Sequence, residues 1–343
     1  MIAFVPYTPE WRGAVAEFNS RITASGFAFP PDPAEFAGEG TLAVEDGQQV
    51  RGGYILRAQQ FSLGGEPAVV AHYRLPLSEG TVNRSYAMLG VQLLRHALQR
   101  QPMLYALGMG GMDRPLPAML RAAGWTLHLT PFYFKVVHPR AFLRNIRPLR
   151  RTPARRLALD ALAFSGAGWA ALRFLQPRAC SQGTAKPLPS FDADEDRLWD
   201  ACRKDYPALA WRDSATLNGL YGEARFHRLK VGSAGWVVML DTQMQDDAYF
   251  GSLRLGSIVD CLAGPEHAAE VVREATAFLE QRGVDLIITN QAHRSWVSAL
   301  QAARFRPGPS NFVFAASKAL AARISDPELL HLNRGDGDGP IHL

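Results

Sequence analysis

A divergent internal repeat constrains the fold of this chain more than any other feature. In the first half, a strand pattern closes at Gly80, and Gly124, which precedes a tryptophan, follows 44 residues later. In the second half, a strand pattern closes at Gly264, and Arg304, which precedes a phenylalanine, follows 40 residues later. In both halves the next strand pattern begins eight residues further on. Matching features in one order at near-equal spacing favour two copies of one supersecondary unit over two unrelated α/β units with a common element order.

Both halves alternate strand-like and helix-like patterns, which is typical of an α/β fold. The clearest helix patterns cover 84–99 and 266–282, and strand patterns precede them at 69–77 and 257–262. Each copy has about 140 residues, an ordinary size for a domain. The sequence therefore predicts an α/β protein with a first domain at 1–138, a connector at 139–190, a second domain at 191–320 and a C-terminal tail at 321–343.

The excess positive charge of the chain is concentrated in the connector. The sequence contains 37 Lys plus Arg and 32 Asp plus Glu, a formal net charge of +5. Seven arginines lie within seventeen residues that contain no acid, and without them the net charge is −2. They are Arg140, Arg144, Arg147, Arg150, Arg151, Arg155 and Arg156. This basic run contains a single aromatic residue, Phe142, and not the interleaved aromatics of a nucleic-acid site, so we expect no nucleic-acid partner.

An apolar stretch follows the arginines, from Leu157 to Gln176. Its longest uncharged run has 12 residues, whereas a helix that spans a membrane needs about 20 apolar residues. Its apolar side chains spread around a helical axis, which suits packing between two domains or shallow insertion in an anionic membrane surface. We expect interdomain packing, and peripheral membrane contact through 140–176 is the alternative.

Cysteine usage and the first residues indicate the compartment. Three cysteines without a CxxC pair form neither a disulfide framework nor a zinc motif, so we expect free thiols and no metal site. The N-terminus lacks a basic segment followed by a long apolar run, and therefore no signal peptide is predicted. Free thiols are typical of a reducing compartment. We expect a cytoplasmic protein, with any peripheral contact at the inner membrane face.

The repeating unit resembles the GNAT fold of acyl-CoA N-acyltransferases over roughly 1–138 and 190–320. The resemblance rests on the order of elements and on the closing sequence Ala-Ala-Gly-Trp at 122–125, followed by Pro-Phe-Tyr-Phe at 131–134. It implies two GNAT-like domains with mixed, splayed central sheets. It also implies an acyltransferase, typically an N-acetyltransferase, that uses acetyl-CoA or another acyl-CoA. The acceptor would be an amine or hydroxyl of a small molecule, a glycan or a peptide.

The second half also resembles Fem-type aminoacyltransferases in one short segment. Trp211-Arg212-Asp213, followed by Leu217 and Tyr221, is similar to a segment of that group. This resemblance would imply an aminoacyl-tRNA as the donor.

In the GNAT family, the pyrophosphate of acyl-CoA binds at the N-terminus of the helix after the fourth strand. Free backbone N–H groups and the positive end of a helix attract phosphate there. Alignment of the family motif on the Leu-Leu pair at 93–94 keeps one small residue, Gly90. The donor-binding residues that the resemblance implies are Leu77, Ser78, Arg84, Ser85, Met88 and Gly90. Alternatively, Gly90 only permits close packing of the helix on the sheet. The loop after Gly264 lacks the motif, so we expect no ordinary donor site in the second half.

The catalytic residues are less clearly marked. The position of the family's tyrosine acid is Leu120 in the first half and Leu300 in the second, so neither half has that proton donor. The resemblance makes Glu79 the expected general base. His72, on the preceding strand, is an alternative, because the pKa of a histidine lies near neutral pH. The missing acid keeps a second hypothesis open, in which the chain is a degenerate GNAT-like binding or scaffold protein, for example in envelope or polysaccharide assembly.

Two polar residues of the second half could also form an acid/base pair. Asp260 ends a strand, and His293 follows the next strand along the chain. Because strand ends meet at one edge of an α/β sheet, the two side chains could lie together. The alternative is that His293 caps the helix that begins after it.

Overall fold

The computed structural model describes residues 1–166, 179, 181–324 and 326–336. The chain divides into two compact units, each built on a mixed β-sheet with α-helices. Unit 1 consists of Met1–Phe61, Pro67–His128 and Val313–Ser325. Unit 2 consists of Ser62–Glu66, Leu129–Phe312 and Asp326–Leu343. The α/β class and the two mixed sheets predicted from the sequence are confirmed.

The described residues form strands and helices that follow one another along the chain. The strands are β1 Ile2–Pro6, β2 Glu39–Glu45, β3 Gln49–Leu63, β4 Glu66–Ser78, β5 Leu104–Gly108, β6 Thr126–Leu129, β7 Phe132–Val136, β8 Ala185–Pro187, β9 Ala208–Ala210, β10 His227–Val231, β11 Gly235–Gln243, β12 Arg254–Ala263, β13 Leu286–Asn290, β14 Arg306–Gly308, β15 Val313–Ala316 and β16 Leu330–His331. The α-helices are α1 Arg12–Ile22, α2 Leu89–Arg100, α3 Pro115–Ala122, α4 Pro139–Asn145, α5 Pro153–Phe164, α6 Ala193–Cys202, α7 Ser214–Tyr221, α8 Ala268–Gln281, α9 Arg294–Ala302 and α10 Lys318–Ala321.

The sheet of unit 1 has the strand order β1-β2-β3-β4-β5-β15-β6. Helix α2 buries Leu89, Leu93, Leu94 and Ala97, which recur at helical spacing and form its apolar face. The pattern at 84–99 predicted this helix, and a 3₁₀ turn occupies the first part of that stretch, at Arg84–Tyr86. The helix therefore packs on the sheet as its sequence pattern requires.

The sheet of unit 2 has the strand order β14-β7-β13-β12-β11-β10-β8. Its core includes Trp236 on β11 and Trp296 on α9, both fully buried. On β7, Lys135 is also buried, and its ammonium forms an ion pair of 3.0 Å with Glu280 of α8. A buried cation of this kind requires an anionic partner.

Two closing strands are exchanged between the halves of the sequence. Strand β7, from the first half, pairs with β13 and β14 in the sheet of unit 2. Strand β15, from the second half, pairs with β5 in the sheet of unit 1. The units therefore differ from the continuous domains expected at 1–138 and 191–320, because a sequence pattern predicts a strand but does not fix its distant partner.

The described parts of the connector and of the tail belong to unit 2. From 139 to 166, the chain forms α4, a 3₁₀ turn at Arg147–Arg150 and α5. The second half of the apolar stretch expected at 157–176 lies outside the described residues, and so does Cys180. Cys202 and Cys261 are buried free thiols. Among the residues that the structure describes, no helix has the length and apolar character needed to cross a membrane.

Candidate active site

The parallel strands of unit 1 diverge shortly after they meet. Strands β4 and β5 pair only at Ala71 with Leu104 and at His72 with Tyr105. Beyond this point β4 continues to Ser78 without β5 beside it, and its residues 74–77 are half-buried. This divergence, called here the unit 1 gap, lies at the carboxyl ends of parallel strands, where α/β folds bind ligands.

The backbone of β4 is strained inside the unit 1 gap. Leu75 has a φ of 44°, in the left-handed region that side chains other than glycine rarely adopt. Such strain costs about 1–3 kcal/mol and is concentrated at functional sites. Leucine is not a residue type that indicates this conformation, so no sequence pattern marks Leu75 as part of a site. The adjoining Leu77 packs with the apolar cluster around α1, which includes Phe18 and Ile55.

Helix α2 begins next to this strand and exposes its N-terminal turn. Its first intrahelical bond runs from the N–H of Gln92 to the carbonyl of Met88, at 3.1 Å, so the N–H groups of the preceding residues lie before the hydrogen-bond ladder. Met88 is 64% exposed, and Arg84 is also exposed. The N–H groups of a first helical turn and a nearby cation form an environment that favours a phosphate group.

Packing does not require a glycine at position 90. A Cβ placed there would contact only the sulfur of Met119, at 3.4 Å, an ordinary van der Waals distance. Glycine near the start of a helix costs stability relative to alanine, by up to about 1 kcal/mol. The alternative in which Gly90 permits close helix–sheet packing is therefore not favoured, whereas close approach of a ligand to the backbone remains a reason for glycine here.

The loop between β4 and α2 is held by its own polar side chains. Ser78 accepts a hydrogen bond from the N–H of Gly80, and Asn83 accepts one from the N–H of Ser85, at 3.0 and 3.1 Å. A Cβ on Gly80 would overlap the carbonyl oxygen of Tyr86. Of the expected donor-binding residues, Ser78 is therefore engaged within the loop, while Arg84 and Met88 are exposed beside the helix N-terminus.

Two arginines engage Glu79, the expected general base. Its side chain is buried, and its carboxylate accepts hydrogen bonds from Arg21, at 3.0 Å, and from Arg51, at 3.1 Å to both oxygens. Arg51 also donates to Glu45, which accepts a hydrogen bond from the hydroxyl of Tyr86. A general base needs an accessible lone pair, and two guanidinium groups engage this carboxylate at the start of the loop. The role of Glu79 as the base stays a prediction.

The other proton-transfer candidates of unit 1 are buried as well. His72 stacks on Tyr105 with ring centroids 4.5 Å apart. Burial lowers the pKa of His72 well below its usual range, so the ring is neutral at physiological pH. Leu120, at the position of the family's tyrosine acid, lies in the core. Both side chains are therefore inaccessible to a ligand in the unit 1 gap, and leucine has no proton to transfer.

Unit 2 contains a counterpart of this gap. Strands β12 and β13 pair in parallel from Leu255 with Leu286 to Ser257 with Ile288, and then diverge. The register of β12 against β11 also shifts just beyond this point. In contrast to β4, strand β12 is fully buried from Leu255 to its end. The divergence of β12 and β13 is called here the unit 2 gap.

The chain itself occupies the unit 2 gap. Residues 326–336, called here the C-terminal segment, bond to the ends of both strands. The side-chain amide of Asn333 donates to Asp260 of β12 at 2.6 Å, and Arg334 donates to Asn290 of β13 at 2.9 Å. The N–H of Ala292 donates to the carbonyl of Leu332. A donor molecule would have to displace this segment.

A buried ionic cluster fixes the C-terminal segment. The guanidinium of Arg212 bonds to Asp260 at 3.0 Å and to both oxygens of Asp336 at 2.9 and 3.0 Å. The hydroxyl of Tyr221 donates to Asp260 at 2.8 Å. Desolvation by burial raises the pKa of Asp336, while Arg212 favours its ionised form. Arg212 and Tyr221 of the Fem-like sequence segment are thus engaged in this cluster.

The acid/base pair considered for unit 2 is not formed. Asp260 belongs to the ionic cluster, whereas the Nδ1 atom of His293 accepts a hydrogen bond from the N–H of Ser295 at 3.2 Å and caps α9. Burial lowers the pKa of His293 to about 4. The capping alternative therefore describes His293.

In each of the two mixed sheets, a parallel pair of strands splays apart and a helix follows the first strand of that pair, which is the arrangement of the GNAT acyltransferase fold. No family model matches the sequence, and no curated protein matches it. Among solved structures, N-myristoyltransferase of Saccharomyces cerevisiae with bound myristoyl-CoA superimposes with a TM-score of 0.54 and 10% identity, covering 92% of this chain and 78% of that chain.

Two further structures are similar to the same extent. A GCN5-related N-acetyltransferase from Anabaena variabilis has a TM-score of 0.54 and 10% identity, covering 92% of this chain and 72% of that chain. A conserved Enterococcus faecalis protein, described as a probable N-acyltransferase, has a TM-score of 0.55 and 11% identity, with 93% and 73% covered. At such identities the likeness establishes the fold alone.

Proposed function

We propose that this protein is an acyltransferase that takes an acyl group from an acyl-CoA and binds this donor in unit 1. One contrast carries the proposal. Strand β4 is accessible beyond the point where it leaves β5, whereas its counterpart β12 is buried and its gap holds the chain's own C-terminal segment. The myristoyl-CoA bound by the yeast enzyme of similar fold supports this class of donor.

The N-terminus of α2 suits the diphosphate of the donor. Its first N–H groups point out of the helix before the hydrogen-bond ladder begins, and the helix dipole favours negative charge. Gly90 admits close approach of a phosphate, and Arg84 supplies a cation. Leu77 and Met88 offer apolar side chains to the pantetheine arm. Ser85 contributes through the loop turn in which its N–H bonds to Asn83.

Chemistry in the unit 1 gap would depend on positioning. An amine or hydroxyl held against the thioester attacks its carbonyl carbon, a new C–N or C–O bond forms, and the C–S bond breaks. The acceptor proton passes through water to the departing thiolate. Holding the two reactants together can supply much of the acceleration. The acceptor, whether a small molecule, a glycan or a peptide, would enter the same gap opposite the donor.

A second candidate is donor binding without catalysis. Two observations favour it: Glu79 is engaged by two arginines, and Leu120 is buried where the family places its tyrosine. Binding that is measurable, with no release of free CoA in the presence of amine acceptors, would support this candidate over the enzyme.

Calorimetry with acetyl-CoA and longer acyl-CoAs tests donor binding. We expect heat with the unaltered protein and at least about tenfold weaker binding in Gly90→Trp, because the indole would block the backbone N–H groups. Arg84→Gln should weaken binding about two- to fivefold. The matched controls are Gln99→Trp and Arg95→Gln, exposed positions further along α2. If no acyl-CoA binds, or if Gly90→Trp binds as tightly as the control, the proposal is wrong.

A further inference from the structure

Helix α5 exposes its apolar face. Leu157 is 73% exposed, Phe164 63% and Leu162 42%. Three small residues of the same helix are exposed as well. At about 100° per residue, these side chains fall within one arc of about 160°. They are Ala154, Leu157, Ala158, Ala161, Leu162 and Phe164. This arrangement is the reverse of an ordinary surface helix, which turns its apolar face inward.

The helix is firmly held in this orientation. On its opposite side Ala163 is buried, and Asp160 accepts two hydrogen bonds from Arg150, at 2.8 and 2.9 Å. The hydrogen bonds from Arg150 hold the pKa of Asp160 below its usual range. Arg156 donates to the carbonyl of Arg150 at 2.9 Å. The exposed apolar face therefore belongs to an ordered hairpin, residues 139–166, in which α4 packs on α5.

The hairpin carries a large positive charge around this face. It contains seven arginines, no lysine and a single acid, so its net charge is +6. Arg140 and Arg144 lie over the ring of Phe164, at 4.8 and 5.4 Å from its centroid. Arg151 and Arg155 are exposed, and within the described ranges neither has an acidic partner. Guanidinium groups bind phosphate through paired hydrogen bonds.

We propose that the hairpin docks on an anionic membrane surface, with the apolar face of α5 at the level of the lipid headgroups and the arginines on lipid phosphates. The apolar face suits the boundary between headgroups and acyl chains, and the cations around it suit the anionic lipid phosphates. A second copy of the chain fits poorly, because a two-fold contact would bring +6 against +6. A nucleic acid would match the arginines but would leave the apolar face in water. The observations do not depend on the proposed acyltransferase activity.

The contact is shallow and reversible. Three large apolar side chains are far fewer than a spanning helix provides, so binding needs the electrostatic attraction as well. Each arginine near an anionic surface strengthens partitioning by about fivefold, and salt screens this attraction. Binding should therefore require anionic lipid and decline at high ionic strength.

Vesicle flotation of the full chain tests the proposal. The vesicles contain phosphatidylcholine, with or without about 30% phosphatidylglycerol, in about 50 mM or about 500 mM NaCl. We expect binding only to the anionic vesicles and only at low salt. Arg151→Gln/Arg155→Gln should lower the partition coefficient by about 25-fold. Leu157→Gln/Phe164→Gln should lower it by at least about tenfold.

Matched variants separate the hairpin from general effects of charge and apolarity. Arg306→Gln/Arg323→Gln removes the same charge from exposed positions elsewhere, and Leu129→Gln/Leu220→Gln removes side chains that are 46% and 43% exposed. Both controls should bind as the unaltered protein does. Equal loss in controls and hairpin variants, or no vesicle binding at all, overturns the proposal. A dimer in light scattering that Leu157→Gln/Phe164→Gln dissociates, without vesicle binding, would instead assign the face to self-association.

Discussion

Replacing Arg212 with methionine should strongly destabilise unit 2. Methionine roughly preserves the volume of the side chain but removes the guanidinium that bonds to Asp260 and Asp336. Both carboxylates are at most 4% exposed, so neither can be solvated in place. Removing one partner of a buried ionic pair costs about 3–5 kcal/mol. We therefore expect a loss of free energy of unfolding of that size in Arg212→Met.

Thermal and urea unfolding, followed by circular dichroism, measure this loss. For domains of about 150–250 residues, each kcal/mol shifts the Tm by about 2–4 °C, so the Tm of unit 2 should fall by roughly 6–20 °C. Arg306→Met, at an exposed position, should stay within about 0.5 kcal/mol of the unaltered protein. Limited proteolysis should show faster cleavage of the C-terminal segment in Arg212→Met only.

A double-mutant cycle identifies the cause. Asp336→Asn keeps the shape of the side chain and leaves Arg212 paired with Asp260, so its cost should be smaller, about 1–3 kcal/mol. Since both changes break the same contact, the combined variant should lose less than the sum, with a coupling energy of about 0.5–3 kcal/mol. A loss below about 1 kcal/mol in Arg212→Met, or additive costs in the cycle, would refute the role assigned to this cluster.

Three further predictions follow from buried groups and close contacts. Desolvation by burial lowers the pKa values of three histidines, His72, His293 and His331. The unfolded chain binds a proton at each of these histidines below about pH 6.5, and the folded chain does not, so the free energy of unfolding should fall toward pH 4 by up to about 1.4 kcal/mol per pH unit for each histidine. His331→Phe should make this decline less steep. A Tm that is unchanged between about pH 7 and pH 5 would contradict the prediction. Gly80→Ala should lower the Tm of unit 1, because its Cβ overlaps Tyr86, while Gly90→Ala should raise it slightly; equal shifts would count against the contacts described. Glu79→Gln should cost about 1–3 kcal/mol of unfolding free energy, since it removes the carboxylate that Arg21 and Arg51 share. The pH profile of any transfer activity should keep its shape, whereas loss of its low-pH limb in this variant would identify Glu79 as the base.

Much of the fold could be predicted because it depends on local patterns. The apolar positions of α2 recur at helical spacing, and the strand patterns at 69–77 and 257–262 lie within β4 and β12. The pairing of the closing strands could not be predicted, since the partner of β15 lies more than 200 residues earlier in the chain. Strands β7 and β15 have similar patterns, so the sequence does not show which sheet each of them joins.

The candidate site shows the same limit. The resemblance indicated Arg84 and Gly90. Gly90 lies in the first turn of α2, and Arg84 lies in the 3₁₀ turn just before that helix. The role of Glu79 could not be anticipated, because its partners, Arg21 and Arg51, come from 58 and 28 residues earlier. The sequence also does not indicate that the C-terminal segment occupies the unit 2 gap. A tail rich in glycine and aspartate is typical of solvated chain, and its burial depends on Arg212, which is distant in the sequence.

The exchange of closing strands sets an order for the folding of the nascent chain. Strand β5 lacks its native neighbour until β15 has been synthesised. Strand β7 has a similar sequence and is synthesised much earlier, so it could pair with β5 in place of β15. Lys135 distinguishes the two strands. Beside β13 its ammonium meets Glu280, but the matching residue of β15 is the fully buried Ala315. If β7 paired with β5, Lys135 would be a buried cation without an anionic partner, at a cost of several kcal/mol. This one lysine therefore favours the pairing of β7 with β13 over its pairing with β5.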